Sequence, residues 1–185
     1  LMRDARESLN GKWGLAIGTF IVYSAIIGAA GSVRAIGPVI SLLIGGPFAL
    51  GAAVFSLNIS RGREATLEQI FQGFQRFSTS LGAYVLMVLY VALWTLLLIV
   101  PGIIAALSYS MTFYIIADDN TIKAEDALRK SKAMMDGNKL KLFYLCLRFF
   151  LLALLCVLTL GIGFFWLIPF VHVTMAKFYD DVRYG

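Results

Sequence analysis

The sequence predicts an all-α integral membrane protein with six transmembrane helices, arranged as three parallel-repeat hairpins that each follow an inner-face amphipathic helix. Three observations lead to this fold class. Of the 185 residues, 59% are apolar and 15% are charged, whereas ordinary soluble domains are about 45–50% apolar. The apolar residues form long uncharged runs, and the charged segments between them repeat a helical pattern. A soluble domain is therefore not expected.

The uncharged runs define the predicted spans. Residues 13–33, 35–60, 78–117 and 149–176 contain no Asp, Glu, Lys or Arg, and a helix needs about 20 residues to cross a bilayer. The third run is long enough for two helices, and Pro101-Gly102 predicts the break between them. The fourth holds two spans only if the upstream helix begins near Leu140, carries Arg148 into the membrane and turns at the Gly161–Gly163 step. The predicted spans are 13–33, 38–59, 78–100, 102–117, 141–160 and 163–178, and an odd number of spans remains an alternative.

Charge placement predicts the orientation. With the N-terminus inside, 14 of the 16 Lys and Arg residues and all 11 carboxylates fall on the inner side, and the exceptions are Arg34 and Arg148. Lys and Arg concentrate in cytoplasmic loops, so both termini are expected to be cytoplasmic. The net charge of +5 is thereby explained by orientation, and no nucleic-acid partner is expected.

The charged inner segments have amphipathic patterns. Apolar residues recur at helical spacing in 3–12, 64–77 and 121–136, which is typical of helices that lie at the headgroup level. A shift of 62 residues brings Thr112 onto Thr174 and Asp118 onto Asp180. These features predict three units that all enter from the same side. Such a parallel repeat differs from the inverted repeats that build many alternating-access transporters.

The chain resembles a known family over essentially its whole length. The stretches that carry the resemblance are RDARESLNGKWGLAIG, GPFALGAAVFSLNISRG, LEQIFQGFQRF, LWTLLLIVPGIIAALSYSMTFYIIADD, AEDALRKSKAMMDGNKLKLF and TLGIGFFWLIPFVHVTMAKFYDD. They are similar to the domain of unknown function 975 family of bacterial multi-pass membrane proteins. The resemblance implies a bacterial plasma-membrane protein and supplies no activity or catalytic residues. Arg148 departs from the pattern, because a neutral residue is expected there.

Arg148 is the most unusual candidate for a lipid or ligand contact. A charge inside a span is costly and suggests function. It lies seven residues beyond Lys141, about 10.5 Å along a helix, so its side chain can also reach the inner headgroups or a lipid phosphate. Both interpretations stay open, with snorkelling or phosphate contact preferred over a substrate or ion pathway.

The other candidate contacts are His172, Ser108, Thr112 and Tyr109. His172 is expected to form a hydrogen bond with a neighbouring helix rather than to relay protons, because no carboxylate lies inside the predicted spans. The hydroxyl groups of span four do not share one face, which favours hydrogen bonds between helices over the lining of a pore. Close helix packing is expected at two four-residue spacings, that of Gly14 with Gly18 and that of Ala49 with Ala53.

No catalytic, metal or cofactor site is predicted. The chain has one histidine, and its two cysteines, Cys146 and Cys156, lie ten residues apart, about 15 Å along one helix. That separation is too large for a disulfide, which needs Cα atoms within about 7 Å. The segment 121–141 carries six basic and three acidic residues. It suits either anionic lipid or a membrane or cytoplasmic protein partner, for which the Met134-Met135 pair offers an adaptable contact.

Three functional hypotheses follow. The first and preferred one is a non-catalytic membrane module, meaning a scaffold, accessory or lipid- or partner-binding protein. The second is a transporter or channel for a small solute or amphiphile, which passes between the hairpins or through a homo-oligomer. The third is a membrane enzyme that acts on lipids, for which the sequence shows no reactive cluster.

Overall fold

The computed structural model describes residues 1–32 and 36–184, and these are helices joined by turns, with no strand among them. The predicted all-α class is confirmed. Arg34, expected in the first outer turn, lies outside the described residues. The helices of the described chain are α1 (Met2–Ser8), α2 (Trp13–Gly31), α3 (Gly37–Ser60), a 3₁₀ helix (Leu67–Arg76), α4 (Phe77–Leu97), α5 (Ile99–Tyr109), α6 (Thr112–Asp118), α7 (Ala124–Met134), α8 (Lys139–Leu158) and α9 (Phe164–Tyr184).

Five helical stretches of the described residues are long and apolar enough to cross a membrane. They are Trp13–Gly31, Gly37–Ser60, Leu67–Leu97, Ile99–Asp118 and Lys139–Leu158. The sixth expected span, 163–178, corresponds to the first part of α9, which is not among the five. The helix continues without a break to Tyr184, and its last two turns contain Lys177, Asp180, Asp181 and Arg183.

The break in the third apolar run lies earlier than the sequence predicts. The chain is extended at Leu98, with φ −161° and ψ 145°, and α5 begins at the next residue. Pro101 is in the first turn of α5 rather than between the helices. A proline ring clashes with the carbonyl four residues upstream and lacks an N–H group, so the helix ends before Leu98. Gly102 then packs against Thr95, where a Cβ atom would collide with the Thr95 side chain.

Glycines bring the 3₁₀ helix against α3. A Cβ atom on Gly51 of α3 would overlap the Ile70 carbonyl, and one on Gly73 of the 3₁₀ helix would overlap the Pro47 carbonyl. The two backbones are therefore in direct contact, and Ile70 is fully buried.

The expectation of close packing at Gly14 and Gly18 was wrong, because an added Cβ at either position meets no atom within 4 Å.

The C-terminal half of α3 is the centre of the core. It contacts α6 and α9, and the 3₁₀ helix covers another side. Residues 112–116 of α6 are all buried. The segments expected to be amphipathic pack their apolar faces here: α1 against α9, and α7 against α4, α5 and α6.

The apolar face of α7 is occupied within the chain. Ala127, Leu128 and Ser131 are buried, and Met135 is fully buried in the core. Met135 is therefore not available as the adaptable surface contact that the sequence suggested, whereas Met134 is partly exposed. The exposed side of α7 is the charged one.

Candidate functional site

A groove with a charged rim lies where α4, α5 and α7 meet. Its first cavity has a volume of about 410 Å³, and its lining includes Leu86, Tyr90, Tyr109, Glu125, Arg129 and Lys132. The rings of Tyr90 and Tyr109 stack with their centroids 5.8 Å apart. The rim is polar, while Leu86 and the two tyrosine rings provide an apolar wall.

A second cavity continues from the first along α5. It has a volume of about 270 Å³ and shares Tyr109 and Lys132 with the first cavity. Its wall is one stripe of α5, made of Pro101, Ile104, Ala105, Ser108 and Tyr109, with Trp94 of α4 and Lys139 of α8 at its sides. From Pro101 to Tyr109 the stripe is about 12 Å long. The groove is thus basic near Tyr109 and apolar toward Pro101.

The basic side chains at the rim differ in their partners. Arg129 donates to Asp126 at 2.6 Å, and Lys139 lies 3.6 Å from Asp136. Lys132 has no carboxylate within 4.0 Å in the described part of the chain. The ammonium group of Lys132 is therefore the cation at the rim that is available to an anionic ligand.

Ser108 and Tyr109, two of the predicted contact residues, both line this groove. The Ser108 hydroxyl donates to the Ile104 carbonyl at 2.7 Å. The Ser108 carbonyl accepts a 2.8 Å hydrogen bond from the Ser131 hydroxyl of α7. This second bond fixes α7 to α5 and therefore sets the width of the groove.

Thr112 is not part of the groove. Its side chain is fully buried, and its hydroxyl donates to the Tyr109 carbonyl at 2.7 Å. The hydroxyls of Ser108, Ser110 and Thr112 all bond to carbonyls of their own helical segment. Of the hydroxyls of span four, Tyr114 makes an expected hydrogen bond between helices, because it donates to the His172 carbonyl at 3.4 Å. Ser131 of α7 makes another, to the Ser108 carbonyl.

A second polar site, the inner ionic cluster of Arg61, Asp118, Tyr179, Asp180 and Arg183, joins the ends of three helices. Arg61 follows α3, Asp118 ends α6, and the other three lie in the last turns of α9. The Arg61 side chain donates to both oxygens of Asp118 and both oxygens of Asp180. Arg183 also pairs with Asp118. The Tyr179 hydroxyl donates to the Asp118 carboxylate at 3.2 Å.

The electrostatics of the cluster follow from its burial and charges. Hydrogen bonding to Asp180 raises the pKa of the Arg61 guanidinium, against the opposing effect of burial. Burial raises the pKa of the Tyr179 phenol to about 12. Tyr179 is only 1% exposed, so it belongs to the core of the cluster.

Comparison with family models decides the family. The model described as "Protein of unknown function (DUF975)" matches residues 1–108 and 96–184. The chain belongs to this family. The resemblance seen in the sequence is confirmed. Comparison with the curated proteins and with the solved structures gave no match. The description of the DUF975 family assigns no activity, so the function of this member has to be argued from its own residues.

The remaining predicted contacts of this DUF975 protein lie apart from the groove. Arg148 is exposed on α8, and it makes no ion pair with any residue that the structure describes. His172 stacks on Phe20, with ring centroids 4.5 Å apart, and its ring is inclined by 68° to that of Tyr23. The expected hydrogen bond from its side chain to a neighbouring helix is not found among the described residues, where its carbonyl accepts from Tyr114. It also lines an apolar cavity of about 330 Å³ between α8 and α9. The structure therefore brings Ser108 and Tyr109 together in the groove, buries Thr112 outside the groove lining, and places Arg148 and His172 elsewhere.

Sequence reasoning missed Lys132 and Arg61 as individual sites. The correspondence of Asp118 with Asp180 in the internal repeat was a signal for the cluster, because equivalent positions of two units meet on one arginine. No comparable signal marked Lys132, which is one of several lysines in a charged segment. Across residues 1–32 and 36–184, no group of three His, Cys, Asp or Glu side chains is placed to hold a metal ion.

Proposed function

We propose that this DUF975 protein is a non-catalytic module of the bacterial plasma membrane, with six spans in three parallel hairpins and with both termini cytoplasmic. The observation that carries the proposal is a cyclic pattern of helix contacts. Each unit comprises an inner segment, a first long helix and a second helix. The units are α1, α2 and α3; the 3₁₀ helix, α4 and α5–α6; and α7, α8 and α9.

The contacts between units follow one rule. The first long helix of each unit packs on the second helix of the preceding unit: α2 on α9, α4 on α3, and α8 on α5. The inner segments do the same, with α1 on α9, the 3₁₀ helix on α3 and α7 on α6. A ring of three equivalent units accounts for all six contacts. In such a ring, α9 has the position of a sixth span.

The inner ionic cluster supports a closed module. It joins the ends of α3, α6 and α9, one from each unit, and its two acidic groups bind the same arginine. Buried hydroxyls of the three helices, Ser56, Thr112 and Thr174, bond to carbonyls of their own segments. Polar groups satisfied in this way have no need of a water-filled path. The alternative, a transporter or channel, requires a route past this cluster.

Flux measurements test the proposal against that alternative. Purified protein reconstituted in liposomes is expected to release ions, sugars and amphiphilic dyes no faster than protein-free liposomes, with a pore-forming peptide as positive control. Saturable flux that depends on the protein would contradict the module hypothesis.

Topology labelling tests the arrangement separately. In a Cys146→Ser/Cys156→Ser background, single cysteines replace Ile162, Lys130 and Asp181 in turn. An impermeant maleimide applied to intact cells is expected to label position 162, while 130 and 181 react only after lysis. Labelling of 181 in intact cells would mean an odd number of spans.

A further inference from the structure

We propose that the groove between α4, α5, α7 and α8 binds one anionic phospholipid, with its phosphate at Lys132 and Lys139 and an acyl chain along α5. The site deepens the proposed function, because it depends on the protein lying in a bilayer. The two parts of the ligand correspond to the two ends of the groove.

The polar end suits a phosphate group. Among the lining side chains of the two cavities, Arg129, Lys132 and Lys139 are basic and Glu125 is the one acidic group. Arg129 is engaged by Asp126 and Lys139 by Asp136, whereas Lys132 has no carboxylate within 4.0 Å among the described residues. Basic side chains near the membrane surface attract anionic lipids. The lining therefore offers a phosphate one cation without a carboxylate partner, Lys132, and a second, Lys139, whose ion pair with Asp136 is long at 3.6 Å.

The apolar end suits an acyl chain rather than a soluble anion. The stripe from Tyr109 to Pro101 runs about 12 Å along α5, and Ile104 and Trp94 at its edge are 47% and 48% exposed. The groove thus opens sideways along a helix that is long and apolar enough to span a membrane. A chain of a bilayer lipid can enter from this side, while a water-soluble anion would leave the stripe uncovered.

The lipid headgroup and the acyl chain are tested by separate variants. Lys132→Gln with Lys139→Gln removes two charges at the groove, and Lys123→Gln with Lys130→Gln removes two charges from the exposed side of the same segment. Ile104→Trp fills the apolar end. Ile103→Trp is its matched control, because Ile103 is equally exposed, at 46%, and is not among the residues that line the groove.

Binding is measured on the full-length protein by native mass spectrometry and by fluorescence titration in nanodiscs that contain labelled lipid. Phosphatidylglycerol is expected to bind with one-to-one stoichiometry and to withstand competition from phosphatidylcholine. Lys132→Gln/Lys139→Gln is expected to weaken binding by roughly tenfold to thirtyfold, since each basic group near an anionic headgroup contributes about 1 kcal/mol. Ile104→Trp is expected to weaken it by at least several-fold, and both control variants should bind like the native protein.

Several outcomes would overturn the site. If the Lys123→Gln/Lys130→Gln control loses as much affinity for phosphatidylglycerol as Lys132→Gln/Lys139→Gln, the lipid is held by general attraction to the charged surface and not by the groove. Equal binding of phosphatidylcholine or phosphatidylethanolamine would remove the role of net negative charge. Displacement of the lipid by glycerol phosphate at similar concentration would show that the acyl chain contributes nothing. Circular dichroism of every variant separates misfolding from lost binding. If Ile104→Trp fails to fold, Ile104→Ala replaces it, and this variant is expected to bind phosphatidylglycerol with lower affinity than the native protein.

The lipid site and the proposed function can fail independently. If flux is observed but the groove variants lose phosphatidylglycerol, the module hypothesis fails and the lipid site stands. If flux is absent and phosphatidylglycerol binds all variants equally, the lipid site fails and the module hypothesis stands.

Discussion

Arg61 and Asp118 form a bidentate pair in which two guanidinium nitrogens donate to two carboxylate oxygens, with Nη2 and Oδ2 2.9 Å apart. The two residues are 57 positions apart in the chain and lie at the ends of two different helices, α3 and α6. Their side chains are 17% and 13% exposed, so water screens the pair only in part. A bidentate geometry of this kind fixes the relative position of the two helix ends.

Removal of the arginine is expected to destabilise the fold. Arg61→Ala leaves Asp118 and Asp180 partly buried near each other without their shared cation. Breaking a buried pair costs about 3–5 kcal/mol, and the partial exposure here lowers the expected loss to about 2–4 kcal/mol. Thermal or denaturant unfolding in detergent measures it. Arg63→Ala is the control, because that side chain is exposed, and an equal loss in both variants would contradict the role of the cluster.

Tyr179 is expected to make the protein sensitive to alkali. Its pKa is raised from 10.0 to about 12 by burial, so the unfolded chain loses the phenolic proton at lower pH than the folded chain. This stabilising contribution is complete below pH 10 and disappears as the pH rises to about 12. The slope of unfolding free energy against pH in this window should be smaller in Tyr179→Phe. Identical slopes for the native protein and the variant would contradict the burial of a neutral phenol.

Two glycines at the contact between α3 and the 3₁₀ helix are expected to tolerate no side chain. Gly51→Ala or Gly73→Ala places a methyl group on a backbone carbonyl, so the two segments must separate. The free energy of unfolding should fall by at least about 2 kcal/mol. Gly14→Ala and Gly18→Ala provide matched controls in open space. These should be neutral or stabilise α2 by up to about 1 kcal/mol, because alanine favours a helix. Similar melting temperatures in all four variants would rule out the close contact.

Arg148 is expected to be dispensable for folding. Its side chain is exposed and makes no ion pair with the described residues, so Arg148→Leu should change the free energy of unfolding by no more than about 0.5 kcal/mol. Membrane extraction and unfolding in detergent measure the effect, with Arg148→Lys as the charge-preserving control. Loss of membrane insertion in Arg148→Leu alone would show that the charge has a structural partner.

Much of the fold could be predicted from local features. The uncharged runs indicated helices that match five apolar stretches of the structure, because hydropathy and length are read directly from neighbouring residues. The break near Pro101 was predicted three residues too late, since the steric effect of a proline acts on the preceding turn. The candidate groove was predicted only through Ser108 and Tyr109. Lys132 could not be distinguished from neighbouring lysines, because its position beside Tyr109 depends on how α7 packs against α5.

The sequence by itself determined that this protein is helical and apolar enough for a membrane, and that its charges are segregated into a few segments. Composition and spacing suffice for these properties, because each helix satisfies its own backbone hydrogen bonds. Only the tertiary structure decided that Arg61 binds both Asp118 and Asp180, the latter 119 residues away. The same holds for the contact of Gly51 with Ile70. Such relationships join residues that are distant in the chain, and they depend on the angles and depths at which the helices pack.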